Sequence, residues 1–133
     1  MEPKPKYRVF LLEDDDFIRN LYAAAFKNMA MDTEVASDAE GDFIERVVAF
    51  KPDLVSVDIA LKQNQEGGFD AVRRLQTDER TKTIPLFFLT NFYDEKHEET
   101  AKGFKAVEYI VKANLTPKEV GQRFLNFLEG KGR

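Results

Sequence analysis

Five short apolar runs, Val9–Leu12, Thr33–Ala36, Leu54–Val57, Leu86–Leu89 and Val107–Val111, alternate along the chain with stretches long enough for a helix. Parallel strands cannot be joined by a tight hairpin and need a crossover, usually helical. The alternation therefore predicts βα units on a doubly wound parallel sheet. Three of the runs are almost unbroken, as in strands covered by helices on both faces. Thr33–Ala36 is the least apolar and rests mainly on Val35.

The intervening segments carry apolar side chains at helical spacing. Ile18, Leu21, Tyr22, Ala25 and Met29 give one buried stripe to a first helix beginning near Asp16. Ser37-Asp38-Ala39-Glu40 has the form of a capping box ahead of Phe43, Ile44, Val47 and Val48, which predicts a second helix directly after Ser37, closed by Pro52. Phe69, Val72 and Leu75 predict a third helix from about Phe69 to Gln76. The polar segment from Asp94 to about Phe104 is expected to be the most exposed helix, with His97 solvated on it. Thr116-Pro117-Lys118-Glu119 joins a capping box to a proline at the first helical position, and the fifth helix continues through Val120, Phe124, Phe127 and Leu128. Lys62–Gly68, polar and ending in two glycines, reads as a flexible surface connection.

With 133 residues the chain suits one domain, residues 1–133 with a core of about 7–128 and no effector domain. The absence of cysteine removes disulfides, thiolate metal sites and cysteine nucleophiles. The amino terminus lacks a signal-peptide apolar region and no run reaches membrane-spanning length, so a cytoplasmic protein is expected. A net charge of −4 without a long basic block argues against direct nucleic-acid binding.

Polar residues able to do chemistry stand just after four of the runs: Glu13 and Asp14, Asp58, Thr90, and Lys112. In a parallel sheet of order 2-1-3-4-5 those carboxyl ends share an edge, and the first and third strands are neighbours at the switch point where ligands bind. Three carboxylates there repel one another unless a cation joins them, and hard oxygen ligands beside phosphate favour Mg²⁺ or Mn²⁺. Asp58, flanked by the acidic pair and Lys112, is the candidate nucleophile, because an ionised carboxylate needs no general base. Lys112 and the Thr90 hydroxyl are placed to bind charge on a transferring phosphoryl group.

Val-Phe-Leu-Leu-Glu-Asp-Asp-Asp with Arg19 downstream, Pro-Asp-Leu-Val-Ser-Val-Asp-Ile, Leu-Thr-Asn and Glu-Tyr-Ile-Val-Lys together closely resemble the response-regulator receiver family, over approximately Tyr7 to Leu128. The resemblance implies a flavodoxin-like (βα)5 fold, with Asp58 accepting a phosphoryl group from a phosphohistidine on a histidine kinase or phosphotransfer protein, and hydrolysis as the reset. It also implies the Ala60 backbone carbonyl as a further metal ligand beside Glu13, Asp14 and Asp58, and Thr90 and Tyr109 as the switch pair. The strand-5, helix-4 and helix-5 face would then meet a downstream protein or a second copy of the chain.

Several residues depart from the family pattern. Ala60-Leu61-Lys62 replaces a frequent proline, Ala113 follows Lys112 where a proline is common, and Lys105 stands for a frequent glycine. Phe92 is expected to shield the phosphoryl group, so that Phe92→Ala shortens its lifetime. Two other readings compete: a haloacid-dehalogenase-like phosphatase with Asp14 of Asp14-Asp15-Asp16 as nucleophile, and a phosphorylation-independent receiver scaffold.

Overall fold

A strand buried on both faces has no solvent side for polar residues, and every residue of Leu54–Val57 (β3) and Leu86–Thr90 (β4) is buried. In the computed structural model, which describes residues 4–61, 66–91 and 93–130, they join Tyr7–Leu12 (β1), Met31–Ala36 (β2) and Glu108–Val111 (β5) in one sheet. All neighbours run parallel, in the order β2-β1-β3-β4-β5. The helices between them are Asp16–Lys27 (α1), Phe43–Phe50 (α2), Gly67–Thr77 (α3), Glu95–Gly103 (α4) and Pro117–Leu128 (α5).

Side chains alternate across the sheet, so β1 feeds two cores. Phe10 and Leu12 join Phe43, Val55, Val57, Phe69, Val72 and Phe88 on the face covered by α2, α3 and α4. Val9 and Leu11 join Phe26, Leu54, Phe87, Leu89, Val120 and Phe124 on the face covered by α1 and α5. This is the doubly wound arrangement the sequence predicts. The thinly apolar β2 is an edge strand, paired only with β1 among the described residues.

Local signals hold where the chain itself supplies the partner. Thr116 and Glu119 make the full reciprocal capping box of α5, with Pro117 at its first turn. Asp15 caps α1 and Asp94 caps α4 through side-chain acceptors.

Three expectations are corrected. The helix placed directly after Ser37 begins only at Phe43, because Gly41 has φ +58° and no α-helix runs through a left-handed residue; Asp38 instead accepts the Glu40 N–H at 2.9 Å in a local turn. The glycine-ended connection is shorter than expected, since buried Gly67 and Gly68 form the first turn of α3; Lys62–Gln65 lie outside the described residues. His97 is half-buried, not solvated: its ring meets Phe69 edge-on at 5.4 Å and Nε2 lies 3.5 Å from a Glu66 carboxylate oxygen. Otherwise α4 is as weakly held as its polarity predicts, with Ala101 its one buried residue among those described. Lys105 occupies a left-handed conformation at φ +61°, which explains why glycine suits that position.

Ser56 in the middle of β3 is fully buried and its Oγ has no hydrogen-bond partner among the described residues. Desolvating a hydroxyl without replacing its bonds costs free energy. Ser56→Ala is therefore expected to stabilise the fold by about 1 kcal/mol in chemical denaturation, keeping the surrounding packing; a loss of stability would show that the hydroxyl has an ordered-water partner.

Candidate functional site at the carboxyl edge of the sheet

β1 and β3 lie side by side, with Leu12 opposite Val57, so the residues that follow them emerge together. The ladder continues one step beyond the strands: the Asp58 N–H donates to the Leu12 carbonyl at 3.0 Å and the Glu13 N–H to the Ala36 carbonyl at 3.0 Å. Both acidic residues are thus carried on backbone fixed by the sheet, and each is only 2% exposed. Asp14, one residue on, is half-buried at the rim. Glu13, Asp14 and Asp58 each bring a carboxylate oxygen within 4.8 Å of the others.

β4 and β5 supply the other half. Thr90 ends β4 opposite Val111, is 5% exposed, and places Lys112 immediately beyond. The Lys112 ammonium donates to Asp58 Oδ2 at 2.9 Å and to Glu13 Oε1. Asp58 Oδ1 accepts the Ala60 N–H at 3.3 Å. Tyr109, half-buried in β5, stands opposite Phe88. Asp15 and Asp16 are structural: one caps α1 and the other pairs with Arg19, whose guanidinium also donates to the Glu13 carbonyl at 2.8 Å. Phe92 lies outside the described residues.

Gly68 is a part of the site that residue chemistry did not single out. Its N–H donates to the Ile59 carbonyl at 2.9 Å, and a Cβ there would lie 2.1 Å from the Asp58 carbonyl oxygen. The start of α3 is therefore pressed against the backbone that carries the carboxylate. The Gly67-Gly68 pair was the available signal, because close backbone approach is what glycine uniquely permits.

Burial is the main cause that raises Asp58 from 3.8 to about 7; Lys112 opposes it, while Glu13 and Asp14 add to it. Burial alone would lower Lys112, but the Asp58 and Glu13 charges outweigh it and the ammonium is held more firmly than usual. Among the described residues three carboxylates thus face one ammonium, which leaves the cluster short of positive charge. A hard divalent cation fits that deficit and this all-oxygen donor set.

A raised carboxyl binds its proton more tightly when folded, so between about pH 4 and 7 the native state holds more protons than the unfolded one and stability falls as pH rises. In chelator, wild type is expected to lose stability across pH 5–7 relative to Asp58→Asn, which lacks the titrating group. The depressed carboxyls of Glu45, Asp78, Asp94 and Glu119 act at the acid end of the range and leave this window clear. Parallel pH profiles for the two proteins would contradict the raised value.

Comparison with known proteins gives one consistent answer. The family model described as the response regulator receiver domain matches residues 9–123. The phosphate regulon transcriptional regulatory protein PhoB of Pseudomonas aeruginosa is 28% identical over 127 residues, covering 93% of this chain and 52% of PhoB. The DNA-binding dual master transcriptional regulator RpaA of Synechocystis is 32% identical over 84 residues, covering 62% of this chain and 33% of RpaA. The chain therefore spans a third to a half of these curated relatives. Among solved structures, the BeF3-activated N-terminal receiver domain of RstA from Klebsiella pneumoniae superposes with a TM-score of 0.75 at 27% identity, covering 95% of this chain and 98% of that one. Among the described residues, no helix is long and apolar enough to cross a membrane.

Proposed function

Because the chain belongs to the response regulator receiver domain family, we propose that it is a phosphorylation-dependent switch whose acceptor is Asp58. The donor is the phosphohistidine of a cytoplasmic histidine kinase or phosphotransfer protein. The observation that carries this reading is the buried Asp58 carboxylate, held 2.9 Å from the Lys112 ammonium and beside Glu13 and Asp14.

In the transfer, an Asp58 carboxylate oxygen forms a bond to phosphorus as the phosphorus–nitrogen bond of the donor breaks, and the imidazole keeps the electron pair. Charge develops on the phosphoryl oxygens, where a preorganised ammonium is worth most. Lys112 reaches one such oxygen from its place on Asp58, and the Thr90 hydroxyl donates to another. A divalent cation, Mg²⁺ or Mn²⁺, would be held by Glu13, Asp14, Asp58 and the Ala60 carbonyl and would supply the remaining positive charge. Movement of Thr90 toward the phosphoryl group vacates space that the Tyr109 ring enters, which alters the face formed by β5, α4 and α5 for a downstream protein or a second copy. Hydrolysis of the acyl phosphate resets the switch. The chemistry is performed on the chain itself and no other substrate is turned over.

Incubation with Mg²⁺ and acetyl phosphate, followed by intact mass, tests the proposal. Wild type is expected to gain one phosphoryl group and Asp58→Asn none. Gain in neither protein would return the chain to the scaffold reading, and steady turnover of a phosphomonoester without a stable adduct would favour the phosphatase.

A further inference from the structure

Tyr109 is held from outside the core by the segment that opens α4. Its ring packs on the same cluster as Phe69 and Phe88. The Tyr93 ring meets it edge-on, with centroids 6.2 Å apart and planes at 89°. Tyr93 is 59% exposed, so burial does not fix its position. A bond to α4 does: its hydroxyl donates to Glu98 Oε1 at 3.0 Å, one turn into the helix.

We propose that Tyr93 is a positioning residue for the switch, a clasp closed by Glu98 that keeps the Tyr109 ring in its half-exposed place. Inward movement of Tyr109 then requires the edge-on aromatic contact to open. The role presupposes Tyr109 as the switch ring of a phosphorylated receiver. The clasp has leverage because α4 is otherwise lightly anchored, with Ala101 its one buried residue among those described. An aromatic pair and a hydrogen bond to a carboxylate, both partly exposed, together bias such an equilibrium by about tenfold. With the clasp opened, the conformer competent for phosphorylation is more populated, and uptake from a small donor speeds up in proportion.

The test uses the full chain and four proteins: wild type, Tyr93→Leu, Tyr93→Phe and Glu98→Ala. Uptake from acetyl phosphate in Mg²⁺ is followed by intact mass. The Tyr109 ring resonances are followed by NMR in metal-free, unphosphorylated protein and assigned with Tyr109→Phe. Tyr93→Leu is expected to take up phosphoryl groups about tenfold faster than wild type, and Tyr93→Phe and Glu98→Ala about threefold faster. Mg²⁺ affinity should not change, since neither residue touches the acidic cluster, and a merely structural role would not accelerate the reaction. Glu98→Ala keeps both rings, so a shift of Tyr109 resonances in it reports the clasp and not a lost ring current. Rates at or below wild type would overturn the proposal. If wild type itself takes up no phosphoryl group, the acceptor reading fails separately, and unmoved Tyr109 resonances in Glu98→Ala would then overturn the clasp.

Discussion

Lys112→Met is expected to accept a phosphoryl group at least about a hundredfold more slowly than wild type while binding Mg²⁺ more tightly. The two effects have one cause. The ammonium sits on Asp58 Oδ2 and Glu13 Oε1, within the carboxylate cluster that would hold a divalent cation. Removing it would relieve competition for the metal but withdraw the positive charge proposed to meet the phosphoryl oxygens. Without metal, the variant leaves the buried carboxylates without the Lys112 counter-charge, so it should also unfold more easily in chelator, by about 3 kcal/mol, and regain stability as Mg²⁺ is added. Titration calorimetry and intact mass read the two halves. Uptake at the wild-type rate would show that Lys112 neutralises the resting site and does nothing in the transfer.

The largest effect on the fold is expected from a single methyl group. A Cβ at Gly68 would fall 2.1 Å from the Asp58 carbonyl oxygen, 2.6 Å from the Ile59 Cα and 2.8 Å from the Asp58 carbonyl carbon. All three are backbone atoms of the chain leaving β3, so neither side can give way without moving Asp58. Gly68→Ala should lose about 3 kcal/mol or more in urea unfolding and bind Mg²⁺ poorly even where it folds. Two other glycines serve as controls. At Gly121 a Cβ would meet the Met29 sulfur at 2.6 Å, near the end of a flexible side chain, and the buried Phe26 ring at 3.1 Å, and at Gly103 nothing lies within 4 Å. Alanine should be tolerated at Gly103 and cost less at Gly121 than at Gly68, and equal losses at all three positions would mean that helix entropy, not contact, sets the cost.

The sheet was legible in the sequence because its determinants are local and periodic. Val9 and Leu11 on one face and Phe10 and Leu12 on the other already describe a strand between two cores. The α5 start was legible because Thr116 and Glu119 satisfy each other within one turn. The same motif misled at Ser37, where a left-handed Gly41 decides the backbone before any cap can form. Glu13, Asp58, Thr90 and Lys112 could be placed together since each immediately follows or ends a strand, and strand order does the rest. What could not be read was contact between elements that are distant along the chain or in turns: Gly68 against Asp58, His97 on Phe69, and Tyr93 beside Tyr109. Those contacts depend on how helices settle on the sheet, which residue spacing does not encode.

Asp58 is the proposed address of the phosphoryl group. Borohydride reduction of the phosphorylated protein converts an aspartyl phosphate to homoserine, and peptide sequencing by mass spectrometry then locates it. Homoserine at position 58, and nowhere else, is the predicted result. Homoserine at position 14, or a phosphoryl group that borohydride does not remove, would contradict it.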